Sequence, residues 1–132
     1  MPAANLSCMQ ECSVVKLDVQ KSRFYAHLYH LEDPAEIADA LALHRKRYRR
    51  AAHHVSAVRF LGGAVPVAAG KNDGEVGHPG RALLQVLEKH DLDSHALIVS
   101  RIFGGIKLGP GGVTRAFRDA AEGAVACLPP EK

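Results

Sequence analysis

The stretch ALIVSRIF, residues 96–103, constrains the fold of this 132-residue chain more than any other. A nearly continuous apolar run of this length is typical of a strand buried on both faces at the centre of a sheet. The next stretch, GGIKLGPGG at residues 104–112, holds five glycines and a proline, and an apolar helical pattern starts at Val113. The sequence therefore predicts a central strand, a glycine segment (residues 104–112) and an amphipathic helix, in that order.

The rest of the chain predicts a hairpin, further strands and two more helices. Asp33 and Pro34 resemble an N-cap and a first helical residue, and Glu36 completes a capping box, so a helix is expected to about residue 49. Pro66 keeps one short strand near a sheet edge, and Pro79 stands just before a short amphipathic helix. The strands are predicted at residues 13–19, 22–31, 53–60, 64–70 and 96–103.

Together these elements predict an α+β fold. We expect a two-layer sandwich in which a mostly antiparallel sheet carries helices on one face. Residues 13–128 are expected to form a single domain, and residues 1–12 a frayed N-terminus.

Composition narrows the class of protein. Apolar residues make up 47% and charged residues 23%, as in soluble globular domains. No apolar run has the length of a membrane span, and the N-terminus has no secretory signal pattern. Three cysteines do not make a disulfide framework, and the pair Cys8 and Cys12 is weak evidence for a metal site. We therefore expect a cytoplasmic protein with no membrane contact, no metal and no cofactor.

Positive charge is concentrated in HRKRYRR, residues 44–50, in a chain whose net charge is +3. This run, at the end of the first predicted helix, is compatible with phosphate contacts, with Tyr48 stacking on a base. A solvated helix end explains the same run without any ligand. The secondary basic patch consists of Arg45, Lys46, Arg47, Arg49 and Arg50.

The glycine segment is the leading candidate site. Free backbone N–H groups at a helix start attract anions, but glycines also serve positive φ angles and close packing. Neither common phosphate fingerprint matches: position 114 holds Thr where a dinucleotide motif needs Gly, and positions 65 and 72 hold Val and Asn where a P-loop needs Gly and Ser or Thr. The candidate anion- or nucleic-acid-binding residues are Lys107, Gly109, Gly111, Gly112, Thr114, Arg115 and Arg118.

A polar loop, KNDGEVGHPG at residues 71–80, offers the candidates for acid–base catalysis. Asp73, Glu75 and His78, with His53 from the third strand, bring carboxylates and imidazoles that suit proton transfer. Their spacing matches no metal-ligand pattern, and Asn-Asp-Gly is also a common turn for backbone reasons alone.

Residues 80–109 resemble the signature of the YigZ/IMPACT family, N-terminal domain. The matching positions are Gly80, Leu83-Leu84, Ile98-Val99, Arg101, Phe103, Gly104-Gly105, Leu108 and Gly109. Similar segments occur upstream in KSRFYAHL, in AAHHVSAVR and in DGE. Ile102 stands where an aromatic residue is usual, and VGHPG replaces the usual loop after DGE.

The resemblance implies a four-stranded sheet with two helices on it and a left-handed βαβ crossover, similar to a small-subunit ribosomal protein domain and to domain IV of elongation factor G. It leaves three functions open. The first is a translation-linked regulatory binding module for RNA, the ribosome or another anionic partner. The second is an enzyme for a small phosphorylated or nucleotide-like substrate, and the third is a protein-interaction module, with a partner in translation control, that binds no small ligand.

Overall fold

The chain folds around a five-stranded antiparallel sheet in the order β1-β2-β5-β3-β4, seen in a computed structural model that describes residues 9–128. The strands are β1 (Gln10–Val19), β2 (Ser22–His30), β3 (His53–Phe60), β4 (Val67–Lys71) and β5 (His95–Ile102). The helices are α1 (Ile37–Arg47), preceded by a 3-10 turn at Pro34–Glu36, α2 (Pro79–Lys89) and α3 (Gly109–Ala126). The α+β class and the central position of the apolar strand β5 are confirmed.

The main core lies between one face of the sheet and the helices α2 and α3. Phe24, Val55 and Leu97 alternate inward from three neighbouring strands and are fully buried. Phe24 meets Phe117 of α3 edge to face, with 5.0 Å between ring centroids. Such a pair stabilises the fold by about 0.5–1.5 kcal/mol beyond the contribution of the area that it buries. These two helices are the pair predicted for one face.

The helix α1 lies on the opposite face of the sheet, against a smaller apolar cluster that includes Tyr29, Ala40 and Ile98. This adds a partial third layer to the predicted two. It follows from β5, which is buried along both faces and needs cover on each. The sheet has five strands, one for each predicted strand segment, rather than the four that the family resemblance implied, because β4 pairs with β3 through five residues at the edge.

Two crossovers connect parallel strands, and they differ in hand. The helix α1 links β2 to β3 and α2 links β4 to β5, each passing one intervening strand. The two connections run in opposite strand directions and opposite lateral directions, while their helices lie on opposite faces. Their hands must therefore be opposite, so one is left-handed despite the strong general preference for right-handed crossovers. The topology thus contains the left-handed crossover that the family resemblance implied.

The ends of the domain differ slightly from the sequence prediction. The strand β1 begins at Gln10, within the expected frayed segment, because its first residues pair with β2 across a bulge between Glu11 and Ser13. Cys8 lies outside the described residues. Within residues 9–128, no helix is long and apolar enough to cross a membrane.

The glycine segment is partly helical, since α3 starts at Gly109 rather than at Val113. Its glycines have different roles. Gly105 and Gly109 have φ angles of +92° and +75°, and Gly104 lies so close to the backbone of Lys21 that a Cβ would come within 2.1 Å of it. A Cβ on Gly111 would meet no atom within 4 Å, so packing does not require glycine there.

Replacing Gly104 with Ala should destabilise the domain by about 2 kcal/mol, because the new methyl group must push apart two backbone segments. Urea unfolding measures the loss. The matched control is Gly111→Ala in the same segment, which should be neutral or stabilising, since alanine favours a helical first turn. Equal unfolding midpoints for the two variants would contradict the packing role of Gly104.

Candidate nucleic-acid interface

A wide groove on the surface lies beside the end of α1, on the α1 side of the hairpin β1–β2. It has a volume of about 650 Å³. Cationic side chains line it from two elements: Lys16 from β1, and Arg47, Arg49 and Arg50 from the end of α1 and the turn after it. None of the described residues that line it is a carboxylate. We call this surface the arginine groove.

Two tyrosines form part of the wall of the arginine groove. Tyr25 and Tyr48 stack with 4.5 Å between ring centroids and 20° between planes. Tyr48 is only 8% exposed, its ring lies 5.4 Å from the Arg47 guanidinium carbon, and its hydroxyl is 2.6 Å from His27 Nε2. Tyr48 therefore has a structural role, and the half-buried Tyr25 is the ring left to contact a ligand. The basic run indicated Tyr48 as the stacking residue, and no local pattern indicated Tyr25, which alternates with core residues on β2.

The predicted basic patch is split by the structure. Arg47, Arg49 and Arg50 line the arginine groove, whereas Arg45 and Lys46 are exposed on α1 and do not line it. Lys16 is an addition that the sequence run did not indicate, because the strand register brings it opposite Tyr25. Lys16 also forms an exposed ion pair with Asp18, at 3.8 Å, which is worth little in water.

A second groove, of about 360 Å³, adjoins the glycine segment. It brings together Lys107, Gly112 and Arg115 from the predicted site, with Val19 at the end of β1 and Gln20 in the turn that follows. Asp119 also lines this glycine groove, so its positive charge is lower than that of the arginine groove.

The other residues predicted for this site do not line the glycine groove. Gly109 and Gly111 are exposed in the first turn of α3, and Arg118 is exposed outside the lining of the glycine groove. The Thr114 hydroxyl is already occupied, because it bonds the carbonyl oxygens of Gly77 and Pro110. Thr114 thus ties the polar loop to the start of α3.

The candidate catalytic residues are only partly brought together. Glu75 is 8% exposed, and its Oε2 accepts a hydrogen bond of 3.0 Å from Arg101 Nη1. His53 Nε2 lies 3.8 Å from Glu75 Oε1, and His53 Nδ1 donates to the Asp73 carbonyl at 2.8 Å. The Asp73 carboxylate accepts from the backbone N–H of His54 at 2.7 Å. These bonds fix the polar loop to the sheet.

His78 does not join that group. It is exposed immediately before α2, with a φ of +54°, and its side chain makes no hydrogen bond or ion pair with the described part of the chain. Arg101, which the sequence indicated only through the signature, is the buried centre of the cluster. Its guanidinium carbon is 5.6 Å from the ring centroids of both Phe24 and Phe103.

A buried hydrogen-bond chain on the α1 face was not predicted at all. The Glu11 carboxylate accepts from His27 Nδ1 at 2.7 Å, so His27 Nε2 accepts from the Tyr48 hydroxyl. Tyr29 OH is 2.7 Å from His44 Nε2, and Ser100 Oγ joins His44 Nδ1 to His54 Nδ1 at 2.8 and 2.7 Å. His27 donates at Nδ1 and accepts at Nε2, and His44 can likewise donate at one nitrogen and accept at the other. The Ser100 hydroxyl can donate to one imidazole and accept from the other, so the chain is satisfied with all three imidazoles neutral.

The pKa values of these histidines follow from burial. Desolvation lowers the pKa of His44 to about 3, and the electrostatic influence of the neighbouring His27, His54 and Arg47 acts in the same direction. Desolvation also lowers the pKa of His27, against the opposing effect of Glu11, and lowers that of His54. The sequence signal that could have indicated this chain is His27 and Tyr29 on one strand face, with His44 on the helix that covers that face.

Among residues 9–128, no group of three or more histidine, cysteine or carboxylate side chains could hold a metal.

The fold and grooves define a small α+β domain with a cationic surface, and comparison with known proteins assigns its family. The model of the Impact N-terminal domain matches residues 20–125. The IMPACT family member YvyE of Bacillus subtilis is 33% identical over 117 residues, which cover 87% of this chain and 54% of that protein. An IMPACT family member of Thermus thermophilus is 37% identical over 111 residues, covering 84% and 59%. The chain belongs to the IMPACT family.

Solved structures agree with this fold. A crystal structure described as that of a hypothetical protein matches with a TM-score of 0.81 and 26% identity, covering 92% of this chain and 61% of the other. The two-domain translational regulator Yih1 matches with a TM-score of 0.53 and 23% identity, covering 95% and 48%. This chain spans between 54% and 59% of the length of the curated relatives it matches.

Proposed function

We propose that this domain is a cytoplasmic, translation-linked regulatory module that binds single-stranded RNA in the arginine groove. The observation that carries the proposal is the composition of that groove: four cationic side chains, no carboxylate among its described lining residues, and a tyrosine pair in its wall. Cations that follow a phosphate backbone, next to an aromatic ring on which a base can stack, are the usual means of binding single strands.

The link to translation rests on similarity of fold to a known translational regulator. The fold is shared with Yih1, which is described as a translational regulator. Structured RNA of the translation apparatus exposes single-stranded loops whose bases are free to stack. Ribosomal RNA is therefore the partner class that we favour for this domain.

Titration of a labelled single-stranded RNA at 50 mM and 200 mM salt tests the proposal. Arg49→Ala/Arg50→Ala should weaken binding and lower the slope of log K against log salt by about 1.4, because each lost phosphate contact on a single strand removes about 0.7. The control, Arg81→Ala/Lys89→Ala, removes two exposed cations from α2 that line neither groove. It should bind as the wild type does.

Tyr25→Leu separates stacking from charge in the same titration. Losing the aromatic face should cost about 1–3 kcal/mol of binding with the salt slope unchanged. Duplex RNA, whose bases are already stacked, should bind more weakly and be indifferent to this change. Absence of RNA binding even at 50 mM salt would contradict the proposal and favour a protein partner in translation control.

A further inference from the structure

The two grooves lie on opposite faces of the sheet, one on each side of the end of the hairpin β1–β2. Lys16 lines the arginine groove and Val19 lines the glycine groove, three residues further along the same strand. At about 3.3 Å per residue their Cα atoms are roughly 10 Å apart. The turn that follows Val19, at Gln20 and Lys21, passes from one groove to the other.

Exposed cations fill the space between the grooves. Arg23 is exposed on β2, two residues from Tyr25 on the same face, and is paired in register with Ile102, which lines the arginine groove. Lys21 is exposed in the turn. Its backbone packs on Gly104, so the turn is held against the glycine segment that carries Lys107.

The surface that includes both grooves and the residues between them carries more net positive charge than the whole chain does. It holds eight cationic side chains: Lys16, Lys21, Arg23, Arg47, Arg49, Arg50, Lys107 and Arg115. Within this surface Asp18 and Asp119 oppose them, which leaves a net of +6, whereas the whole chain has a net charge of +3. The rest of the chain is therefore net negative, at −3, and a polyanion is directed to this one end of the sheet.

We propose that one single strand of RNA occupies both grooves, passing from the arginine groove over Arg23 and Lys21 to Lys107 and Arg115. This inference rests on the proposed function and extends it to the class of ligand. The ligand is an unpaired segment long enough to reach both grooves, rather than a mononucleotide or a short loop. A rigid duplex would not follow a path that turns around the end of a hairpin.

A length series of oligouridylates of 4, 8, 12 and 16 nucleotides tests this path, within the range of single-strand site sizes known for small domains. Affinity should rise more steeply than the number of binding registers once an oligomer reaches the second groove, by about tenfold or more, since the second contact is intramolecular. Lys107→Ala/Arg115→Ala should remove that extra gain for the 16-mer and change the 4-mer affinity less than twofold.

The outcomes separate the inference from the proposed function. If the 16-mer gains only in proportion to its registers and Lys107→Ala/Arg115→Ala binds it normally, the continuous path is wrong while the arginine groove stands. If no oligomer binds the wild type, both are wrong. The pair Arg81→Ala/Lys89→Ala again controls for charge, and thermal unfolding of each variant confirms that it is folded.

Discussion

Glu75→Ala should destabilise the domain by about 3–5 kcal/mol, the range expected when one partner of a buried ion pair is removed. The Arg101 side chain is 8% exposed and that of Glu75 is 3% exposed, with 3.0 Å between the bonded atoms. Without the carboxylate, the guanidinium stays buried against Phe24 and has no opposite charge beside it. The free energy of urea unfolding at pH 7 measures the loss.

A second carboxylate provides the control. Glu122 pairs with Lys89 at 2.9 Å, but the two side chains are 29% and 66% exposed. Glu122→Ala should therefore cost about 1 kcal/mol or less. The double variant Glu75→Met/Arg101→Met removes both buried charges and should recover most of the stability lost in Glu75→Ala. A loss below 1 kcal/mol in Glu75→Ala would show that the pair does not hold the polar loop.

Much of the fold could be predicted because local signals and burial agree. The apolar run of β5 indicated a central strand, and the capping box at Asp33 is present, with Glu36 bonded to the Asp33 amide. The face chosen by α1 could not be predicted. Its sequence predicts an amphipathic helix with a basic end, but no local pattern indicates on which face of the sheet that helix packs.

The candidate site was harder to predict, because its residues meet only through strand register. Lys16 and Tyr25 are paired across β1 and β2, and Arg101 lies opposite His53 and next to Phe24. The basic run is divided in the same non-local way, with Arg47, Arg49 and Arg50 in the arginine groove and Arg45 and Lys46 exposed on α1. The Thr114 hydroxyl meets the Gly77 carbonyl of the polar loop, a contact between distant segments that no local pattern indicates.

Acidification should destabilise the wild type through His44, by about 3 kcal/mol between pH 7 and pH 4. Burial holds the pKa of His44 at about 3 in the folded chain, while an unfolded histidine has its ordinary value of 6.5. As the pH falls below 6.5, the unfolded state takes up the proton first. The stability due to the neutral imidazole is thus present above pH 6.5 and is lost progressively as the pH falls toward 3.

His44→Leu/Tyr29→Phe isolates this effect from general acid unfolding. Removing both partners leaves Ser100 bonded to His54, and leaves His27 bonded to Glu11 and Tyr48, so no buried polar group loses its last partner. The stability advantage of the wild type over this variant should shrink by about 3 kcal/mol from pH 7 to pH 4 in urea unfolding. The exposed His78→Asn variant should follow the wild-type pH profile. An advantage that stays constant with pH would mean that His44 takes up its proton at the same pH in the folded and unfolded chain, and would contradict the burial of a neutral imidazole.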